Sequence, residues 1–185
     1  MLHSWIEEYR PLSPQEAADQ QRMLFFVKTQ KQLLFRSNTA MHFTASAWVV
    51  DPSRQYVLMV YHLLYRSWSW CGGHADGTEN LLHVAQREVQ EETGITGLVP
   101  LLQRPISLEI LRVQQHFKDN IAVAPHLHLN LTFAFIANPM LPLRPKHDEN
   151  SAVCWFPSKR VVHICAEAQM RPIYQKLNAR LFPPL

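Results

Sequence analysis

The sequence predicts a sandwich of the α/β or α+β class, in which helices cover a β-sheet. Hydrophobic residues make up 47% of the 185 residues, which is enough for the chain to bury the core of one domain. Between helical flanks, the periodicity of apolar residues indicates the element order β-β-α-β-β-β-α. We therefore expect a single domain with helical extensions at both ends.

The first forty residues are predicted to be helical. Ser13 and Glu16 stand three residues apart in "SPQE", as in a capping box, and Pro14 suits the first helical position. The segment "AADQQRMLFFVKTQKQLL" continues the helical pattern. These residues are expected to form a helical layer added to the sheet.

Five runs rich in β-branched and aromatic residues predict strands. The clearest run is "HLHLNLTFAF", in which apolar residues alternate with His126, His128, Asn130 and Thr132. The other four are "FTASAWVV", "QYVLMVYHLLY", "ISLEILRVQ" and "AVCWF". The segment "QQHFKDNIAVAPH" is expected to be a loop, and the tail from Ser158 to Leu181 a helix that "FPPL" ends.

A helix is predicted from about Glu79 to Thr93, closed by Gly94 as its C-terminal cap. On a helical wheel at about 100° per residue, its apolar residues cover one sector that faces the core. That sector is formed by Leu81, Leu82, Ala85 and Val89. Three glutamates, Glu88, Glu91 and Glu92, border this apolar sector instead of lying opposite it.

Glutamates crowded at the edge of a buried face require positive charge nearby, because like charges at this spacing repel one another. Arg87 can pair with Glu91 and with Glu79, but one arginine does not neutralise three or four carboxylates. A divalent hard cation such as Mg²⁺ does so with oxygen ligands and often shares its shell with substrate phosphates. The glycine pair just before the helix would let a loop backbone approach the metal or the phosphates closely.

The segment from Gly73 to Ile95 resembles the Nudix box, G-x5-E-x7-R-E-U-x-E-E-x-G-U, at every defined position. The runs "HFTASAWVV", "VLMVYH", "GGH" and "SAVCWFP" resemble surrounding strands of bacterial members of that family. The resemblance implies a Nudix fold, an α/β/α sandwich with a mixed sheet. It also implies a pyrophosphatase activity: hydrolysis, dependent on Mg²⁺ or Mn²⁺, of a nucleoside diphosphate linked to another moiety. Residues 1–40 would be a helical extension packed on a Nudix domain of residues 41–185.

The same resemblance implies roles for the residues of the box. Glu88 and Glu92 would be the main metal ligands, and the Gly72 carbonyl would complete the metal shell. Glu91 would be a further ligand or the residue that positions or deprotonates water, which leaves the general base open. Glu79 and Arg87 would orient the loop and the helix.

Three positions near the box depart from the commonest family pattern. Cys71 stands in place of a frequent proline, Asp76 in place of a glutamate and Thr78 in place of a glycine. None of the three substitutions removes an expected metal ligand. Thr78 would matter only if the backbone there required a positive φ, which threonine adopts at a higher energy than glycine.

Ten histidines raise the hypothesis of a zinc site, with His74, His126 and His128 as candidates. No tight quartet of cysteine and histidine accompanies them, so polar side chains lining a cleft are the favoured interpretation. We expect His62, His74 and His128 to contact substrate. Trp70, with Trp68, either stacks on a base or sugar or packs in the core.

Composition narrows the remaining functional classes. The net charge of +3 suits a polyanionic small molecule, and no arginine-rich tract predicts a nucleic-acid polymer as a partner. Three cysteines without a C-x-x-C pair favour a reducing cytoplasm over a disulfide framework. The N-terminus resembles no signal peptide and no run is apolar enough to span a membrane, so a cytoplasmic location is expected. A homodimer is left open.

Two other functions use the same fold. An isomerase similar to isopentenyl-diphosphate isomerase would need a catalytic cysteine and glutamate in the flanking strands, whereas an intact hydrolytic box favours cleavage. A non-catalytic sensor of nucleotide derivatives would often have lost box carboxylates or gained a DNA-binding module. Neither feature is visible in this sequence.

Overall fold

A computed structural model describes residues 1–118 and 121–181. The five α-helices of this part of the chain are α1 (Leu2–Glu7), α2 (Pro14–Thr29), α3 (Leu81–Thr93), α4 (Val161–Ile164) and α5 (Arg171–Leu181), and a short 3₁₀ helix, Ser158–Arg160, precedes α4. The first five strands are β1 (Met41–Val50), β2 (Tyr56–His62), β3 (Ser67–Ser69), β4 (Cys71–His74) and β5 (Val99–Pro100). The others are β6 (Ser107–Val113), β7 (His116–Lys118), β8 (Ile121–Val123), β9 (His126–Ile136) and β10 (Asn150–Pro157).

Eight of these strands form one mixed sheet with β1 near its centre. The main order is β10-β2-β1-β9-β5, while β3 joins β2, β4 joins β1 and β6 joins β9. Strand β1 runs parallel to β9 over ten residue pairs, from Met41↔Leu127 to Val50↔Ile136. The other pairings of this sheet are antiparallel, and β7 and β8 form a separate hairpin.

Helices cover both faces of the sheet, so the predicted α/β/α sandwich is confirmed. Alternate residues of β1 point to opposite faces, as the pleat requires. Ala45 and Val49 belong to a core cluster with side chains of α1, α2 and α3. Trp48 belongs to a second cluster that includes Tyr174 of α5.

The N-terminal segment is less helical than predicted. Helix α2 starts as expected, because Ser13 caps it by accepting the Glu16 N–H, but the Glu16 carboxylate accepts from Leu12 N–H and not from Ser13. The helix ends at Thr29, and the prediction of helix up to residue 40 was wrong. The reason is tertiary: the Leu33 carbonyl accepts the Phe43 N–H, which brings this segment alongside β1.

The central helix ends where predicted and begins two residues later. Gly94 adopts a left-handed conformation as the cap of α3, with φ of 73°. At the other end, Asn80 caps the helix by accepting the His83 N–H, so Glu79 precedes the helix. A side-chain cap at residue 80 decides this boundary, because asparagine satisfies an N–H that the helix leaves free.

Two other segments differ from the predictions. Much of the expected loop "QQHFKDNIAVAPH" is the β7–β8 hairpin, apart from residues 119 and 120, which lie outside the described part. The predicted C-terminal helix is interrupted between α4 and α5. Pro172 explains the break, because a continuous helix would need an N–H that proline lacks. The expected stop at "FPPL" lies outside the described residues.

A buried ion-pair network attaches α5 to α2. The Arg180 guanidinium donates to both carboxylate oxygens of Glu16 at 2.6 and 2.7 Å, and Lys176 Nζ lies 2.9 Å from Glu16 Oε1. Tyr9 also donates to Glu16, at 2.8 Å. Burial alone would raise the pKa of Glu16, but the Arg180 hydrogen bonds and the other donors lower it to about 2. The carboxylate therefore stays charged although only 1% of Glu16 is exposed.

Within residues 1–118 and 121–181, every helix falls short of the length and apolar character that crossing a bilayer requires.

Replacement of Arg180 with methionine should destabilise the protein by about 3 kcal/mol at pH 7, because it leaves Glu16 buried without its main partner. A lowered pKa contributes stability above the unfolded value near 4.5, and that contribution is lost as the pH falls towards 2. The difference between the variant and the wild type should therefore shrink at pH 3. Urea unfolding at both pH values measures it. Arg22→Met, on the exposed side of α2, is the control and should change stability by less than about 0.5 kcal/mol; an equal loss in both variants would contradict the network's role.

Candidate active site

The structure separates the three glutamates of α3 by their exposure. Glu88 and Glu92 are buried, with 9% and 3% of their surface exposed, whereas Glu91 faces solvent. All three line one open cleft of about 2270 Å³. The glutamates were predicted to border the buried face of the helix. In the structure, two of the three carboxylates are buried and one is at the surface.

The Glu88 carboxylate lies between Arg87 and the glycine pair of β4. Arg87 Nη2 donates to Glu88 Oε1 at 2.7 Å, and Arg87 Nε lies 3.6 Å from Glu91 Oε1. A Cβ atom built on Gly73 would be 2.4 Å from the Glu88 carboxyl carbon, which no side chain could tolerate without displacing it. Burial raises the pKa of Glu88, although Arg87 opposes the shift. Gly73 is thus required to make room for the carboxylate.

The Glu92 carboxylate is held by neutral donors. Gly72 N–H donates to Glu92 Oε2 at 3.1 Å, and the Asn150 side-chain amide donates to Glu92 Oε1 at 3.3 Å. Burial raises the pKa of Glu92 to about 8, and the charge on Glu88 adds to the rise while the Asn150 hydrogen bond opposes it. A carboxylate this poorly compensated favours either a proton or a metal ion.

The donor set fits a hard divalent cation. It consists of carboxylate oxygens from one helix face beside a strand backbone free of side chains, which suits Mg²⁺ or Mn²⁺ and does not suit a soft metal. Arg87 is shared between Glu88 and Glu91, and the nearby Lys146 is paired with Glu149 at 3.0 Å. Negative charge in the cluster therefore exceeds the positive charge that contacts it.

The loop before α3 differs in detail from the expectations. Gly72 and Gly73 lie in strand β4, not in a loop. Positive φ values occur at Asp76 (44°) and at Gly77 (89°), so Thr78 carries no such strain. Arg36 pairs with Asp76 at 2.6 and 2.9 Å, which holds the loop against the segment before β1.

Glu79 is exposed and does not pair with Arg87 within the described residues. Arg87 instead turns towards β4, where its Nη2 atom donates to the His74 carbonyl at 3.4 Å. Arg87 was predicted to orient the loop before the helix. In the structure it contacts the backbone of β4 instead. Glu79 lies before Leu81, the first residue of α3, so it does not belong to the helix face that carries Arg87.

The four residues proposed to bind substrate all line the cleft. His62 is half-buried at the end of β2 and accepts the Leu64 N–H. His74 and His128 lie close together, with ring centroids 4.9 Å apart. Trp70 is 8% exposed and packs on Tyr174 in the second core, with ring centroids 5.4 Å apart.

Sequence reasoning missed several polar groups of the cleft. Asn150 gave no signal, because its role depends on a pairing of β10 with β2 that brings it to Glu92. His42 begins the run "HFTASAWVV" and was not a candidate site residue, because no local pattern links it to His74 or His128. It lies 5.0 Å, centroid to centroid, from both His74 and His128.

The chain is similar to a known protein family. The family model described as "NUDIX domain" matches residues 40–177. The chain belongs to the Nudix family. The predicted enzyme class, a Nudix-type pyrophosphohydrolase, is confirmed by this match. Members of the family generally use divalent metal ions and act on small molecules that contain a diphosphate.

Solved Nudix structures agree with the fold at low sequence identity. A NUDIX-family hydrolase from Clostridium perfringens is 18% identical, with 75% of this chain and 97% of that chain covered and a TM-score of 0.56. A C. elegans Ap4A hydrolase in a binary complex is 19% identical, with coverages of 75% and 96% and a TM-score of 0.55. The NUDIX domain of Shewanella oneidensis NrtR, complexed with ADP ribose, is 15% identical, with coverages of 85% and 97% and a TM-score of 0.55. No curated protein matches the chain.

Alanine substitutions at the two glycines should have different effects. In Gly73→Ala, the new Cβ meets the movable end of Glu88, so the fold should survive while the affinity for Mn²⁺ falls about 10-fold or more. In Gly72→Ala, the Cβ meets the backbone oxygen of Ala45 at 2.7 Å, so stability should fall by about 1–3 kcal/mol. Thermal unfolding and Mn²⁺ titration followed by electron paramagnetic resonance distinguish the two. Unchanged Mn²⁺ affinity in folded Gly73→Ala would separate Glu88 from metal binding.

Proposed function

We propose that this Nudix protein hydrolyses a phosphoanhydride bond in a nucleoside diphosphate linked to another moiety, with Mg²⁺ as its metal and Mn²⁺ as an alternative. The observation that carries the proposal is the burial of Glu88 and Glu92 against the Gly72-Gly73 backbone with too little positive charge around them. Such an arrangement is costly for a protein without a bound cation, and it is repaid when a hard cation binds.

Glu88 and Glu92 would hold the ion, with Glu91 as a further ligand and the Gly72 carbonyl as a backbone ligand. A bound divalent ion would neutralise the phosphate oxygens, orient the attacking water and stabilise the leaving phosphate. Asn150 and the Gly72 N–H fix the orientation of Glu92 through its two carboxylate oxygens. This support leaves little freedom for Glu92, as a ligand requires.

Arg87 would act as a positioning residue. It contacts both Glu88 and Glu91 and also reaches the His74 carbonyl, so it ties the helix to the strand that carries the glycine pair. Glu79 would contribute by orienting the loop before the helix. Its exposure places it outside the buried carboxylate pair.

Glu91 is our candidate for the group that positions or deprotonates the attacking water. Its side chain is 46% exposed and it lies at the cleft, so it can reach a water molecule that the buried pair cannot. Its contact with Arg87 is long, at 3.6 Å, which leaves carboxylate oxygens free to accept a proton.

The substrate would lie in the cleft with its diphosphate near the glutamates. Neutral imidazoles of His62, His74 and His128 would offer hydrogen bonds, and Trp70 would contribute at most an edge, because it is mostly buried. Arg36 and Lys146 also line the cleft and supply positive charge for a polyanion. The similarity to Ap4A hydrolase and to the ADP-ribose complex of NrtR concerns the fold alone. The substrate panel described below determines which group is attached to the diphosphate of the substrate.

The isomerase alternative is disfavoured by the environment of the nearest cysteine. Cys71 precedes the glycine pair but is fully buried, and burial raises the pKa of its thiol well above the usual range, with the charge on Glu92 adding to the rise. A thiol in this state is a poor proton donor or acceptor towards a substrate in the cleft.

Glu88→Gln and Glu92→Gln should each lower kcat by about 100-fold or more, because an amide oxygen is a weaker ligand for Mg²⁺ than a carboxylate. In EDTA the Glu92→Gln protein should be at least as stable as the wild type, since a neutral amide replaces a buried carboxyl group whose ionised form is poorly compensated. Steady-state kinetics and thermal unfolding, each with and without Mg²⁺, measure these effects.

Glu8→Gln is a control, because Glu8 is exposed and remote in sequence from the box. This variant should keep both the activity and the metal-dependent stabilisation of the wild type. Near-wild-type turnover in both Glu88→Gln and Glu92→Gln would contradict the proposed mechanism.

A substrate panel tests the reaction class. We expect at least one nucleoside diphosphate derivative to be hydrolysed with Mg²⁺ and none in EDTA, among nucleotide sugars, dinucleoside polyphosphates, ADP-ribose, NADH, CoA and nucleoside triphosphates. Release of products is followed by anion-exchange chromatography. Tight binding of one compound without cleavage would instead support the sensor function.

A further inference from the structure

Three imidazoles from three adjacent strands meet on one face of the sheet. In the parallel pairing of β1 with β9, His42 stands opposite His128. In the antiparallel pairing of β1 with β4, Thr44 stands opposite His74. His42 shares a face of β1 with Thr44 and Ser46, away from the residues that pack under α3. The pleat therefore directs the three histidines into the cleft.

The three rings form a nearly equilateral triangle. The centroid distances are 5.0 Å for His42–His74, 5.0 Å for His42–His128 and 4.9 Å for His74–His128. One ring nitrogen from each residue lies within 4.8 Å of the other two. Tetrahedral zinc, with Zn–N bonds of about 2.0–2.1 Å, places its nitrogen ligands about 3.3 Å apart. Small side-chain rotations would bring the three nitrogens to this spacing.

The hydrogen bonds of His42 leave one nitrogen without a partner. His42 Nδ1 lies 3.0 Å from the Asn38 carbonyl, and because a carbonyl only accepts, Nδ1 carries the proton. In the neutral ring, Nε2 then has a lone pair, and this buried atom has no hydrogen-bond partner among the described residues. His42 is 5% exposed, so the lone pair is also largely shielded from solvent. A ring whose other N–H is fixed by a backbone carbonyl is the usual state of a metal-binding histidine.

A similar chain of contacts determines the proton of His128. His126 Nδ1 lies 2.9 Å from the Ala124 carbonyl and therefore carries the proton, so His126 Nε2 accepts. Its contact of 3.1 Å with His128 Nε2 requires His128 to donate from that atom. In neutral His128, the Nδ1 atom then carries no proton and has a lone pair. His126 thus orients His128 as Asn38 orients His42.

The surroundings of the three rings carry little net charge. His42 is buried, and His74 and His128 are half-buried. The nearest full charges, Arg36 and Asp76, neutralise each other in a bidentate pair. His42 Nε2 therefore keeps a buried lone pair without a hydrogen-bond partner among the described residues, close to a ring nitrogen of each of the other two histidines, and binding of a cation would stabilise it.

We propose that His42, His74 and His128 bind one Zn²⁺ ion, at a site distinct from the glutamates of α3. Nitrogen ligands select Zn²⁺ or a similar transition metal over Mg²⁺, which prefers oxygen. Three protein ligands leave a fourth position, which faces the cleft and is open to water or an anionic oxygen. The sequence indicated His74, His126 and His128 as candidates. In the proposed site His42 takes the place of His126, whose ring lies 4.9 Å from both His42 and His128 and whose Nε2 contacts His128 Nε2.

The site is tested by titrating the metal-free full chain with Zn²⁺ in isothermal calorimetry, and with Co²⁺ followed by its visible d–d bands. We expect one equivalent to bind to the histidines, with the intense bands of four-coordinate Co²⁺, when excess Mg²⁺ occupies the glutamates. His74→Gln and His128→Gln should each weaken Zn²⁺ binding by about 100-fold or more. His42→Gln should do the same, and its thermal unfolding shows whether the buried position tolerates the change.

Two controls separate this site from its surroundings. His83→Gln, at an exposed position of α3, should leave Zn²⁺ affinity unchanged. The double variant Glu88→Gln/Glu92→Gln should also retain the Zn²⁺ site, so a failure of the glutamate mechanism and a failure of the zinc site give different results. Equal Zn²⁺ affinity in the wild type and in folded His74→Gln and His128→Gln would overturn the proposal. Loss of the Co²⁺ bands in the glutamate double variant would overturn it as well.

Discussion

The packing of two carboxylates against a strand that lacks side chains is the constraint on which the rest of the site depends. Glu88 occupies the space where a Cβ on Gly73 would be, and Glu92 accepts the Gly72 N–H. Because α3 also packs its apolar face on the sheet, neither carboxylate can move outward without losing that packing. The helix, the glycine pair and the two buried carboxylates therefore form one unit, in which Glu88 pairs with Arg87 and Glu92 is held by neutral donors.

A comparison of Glu92 with a second buried carboxylate, Glu16, shows how the fold manages charge. Glu16 receives Arg180, Lys176 and Tyr9 and stays ionised, with a pKa lowered to about 2. Glu92 receives only amide and backbone donors, and its pKa rises to about 8. Both carboxylates are almost completely buried. Glu16 is thus compensated by positive charge in the scaffold, as expected for a structural ion pair. Glu92 faces the cleft without such compensation, as expected for a group at a binding site.

The parallel pairing of β1 with β9 determines what faces the cleft. It sets His42 beside His128, and it sets Thr44 and Ser46 beside Asn130, whose side-chain oxygen accepts from both hydroxyls at 2.9 Å. The polar side chains of His42, Thr44, Ser46 and Asn130 are all buried. The polar face of β9 is therefore not a solvent-exposed face, although its residues alternate strictly between polar and apolar. The hydroxyl contacts satisfy Asn130 and Thr44 internally, whereas His42 Nε2, at the end of the row, has no hydrogen-bond partner among the described residues.

The sequence alone determined the family, the end of α3 at Gly94 and the excess of carboxylates at its buried edge, because these depend on local spacing and helical periodicity. It did not determine the start of α3, which a side-chain cap decides, or the strand conformation of the glycine pair, which the pairing with β1 decides. Only the tertiary structure brought Asn150 to Glu92 and His42 to His74 and His128. Such contacts arise from strand register between segments far apart in the chain, and no local pattern encodes that register.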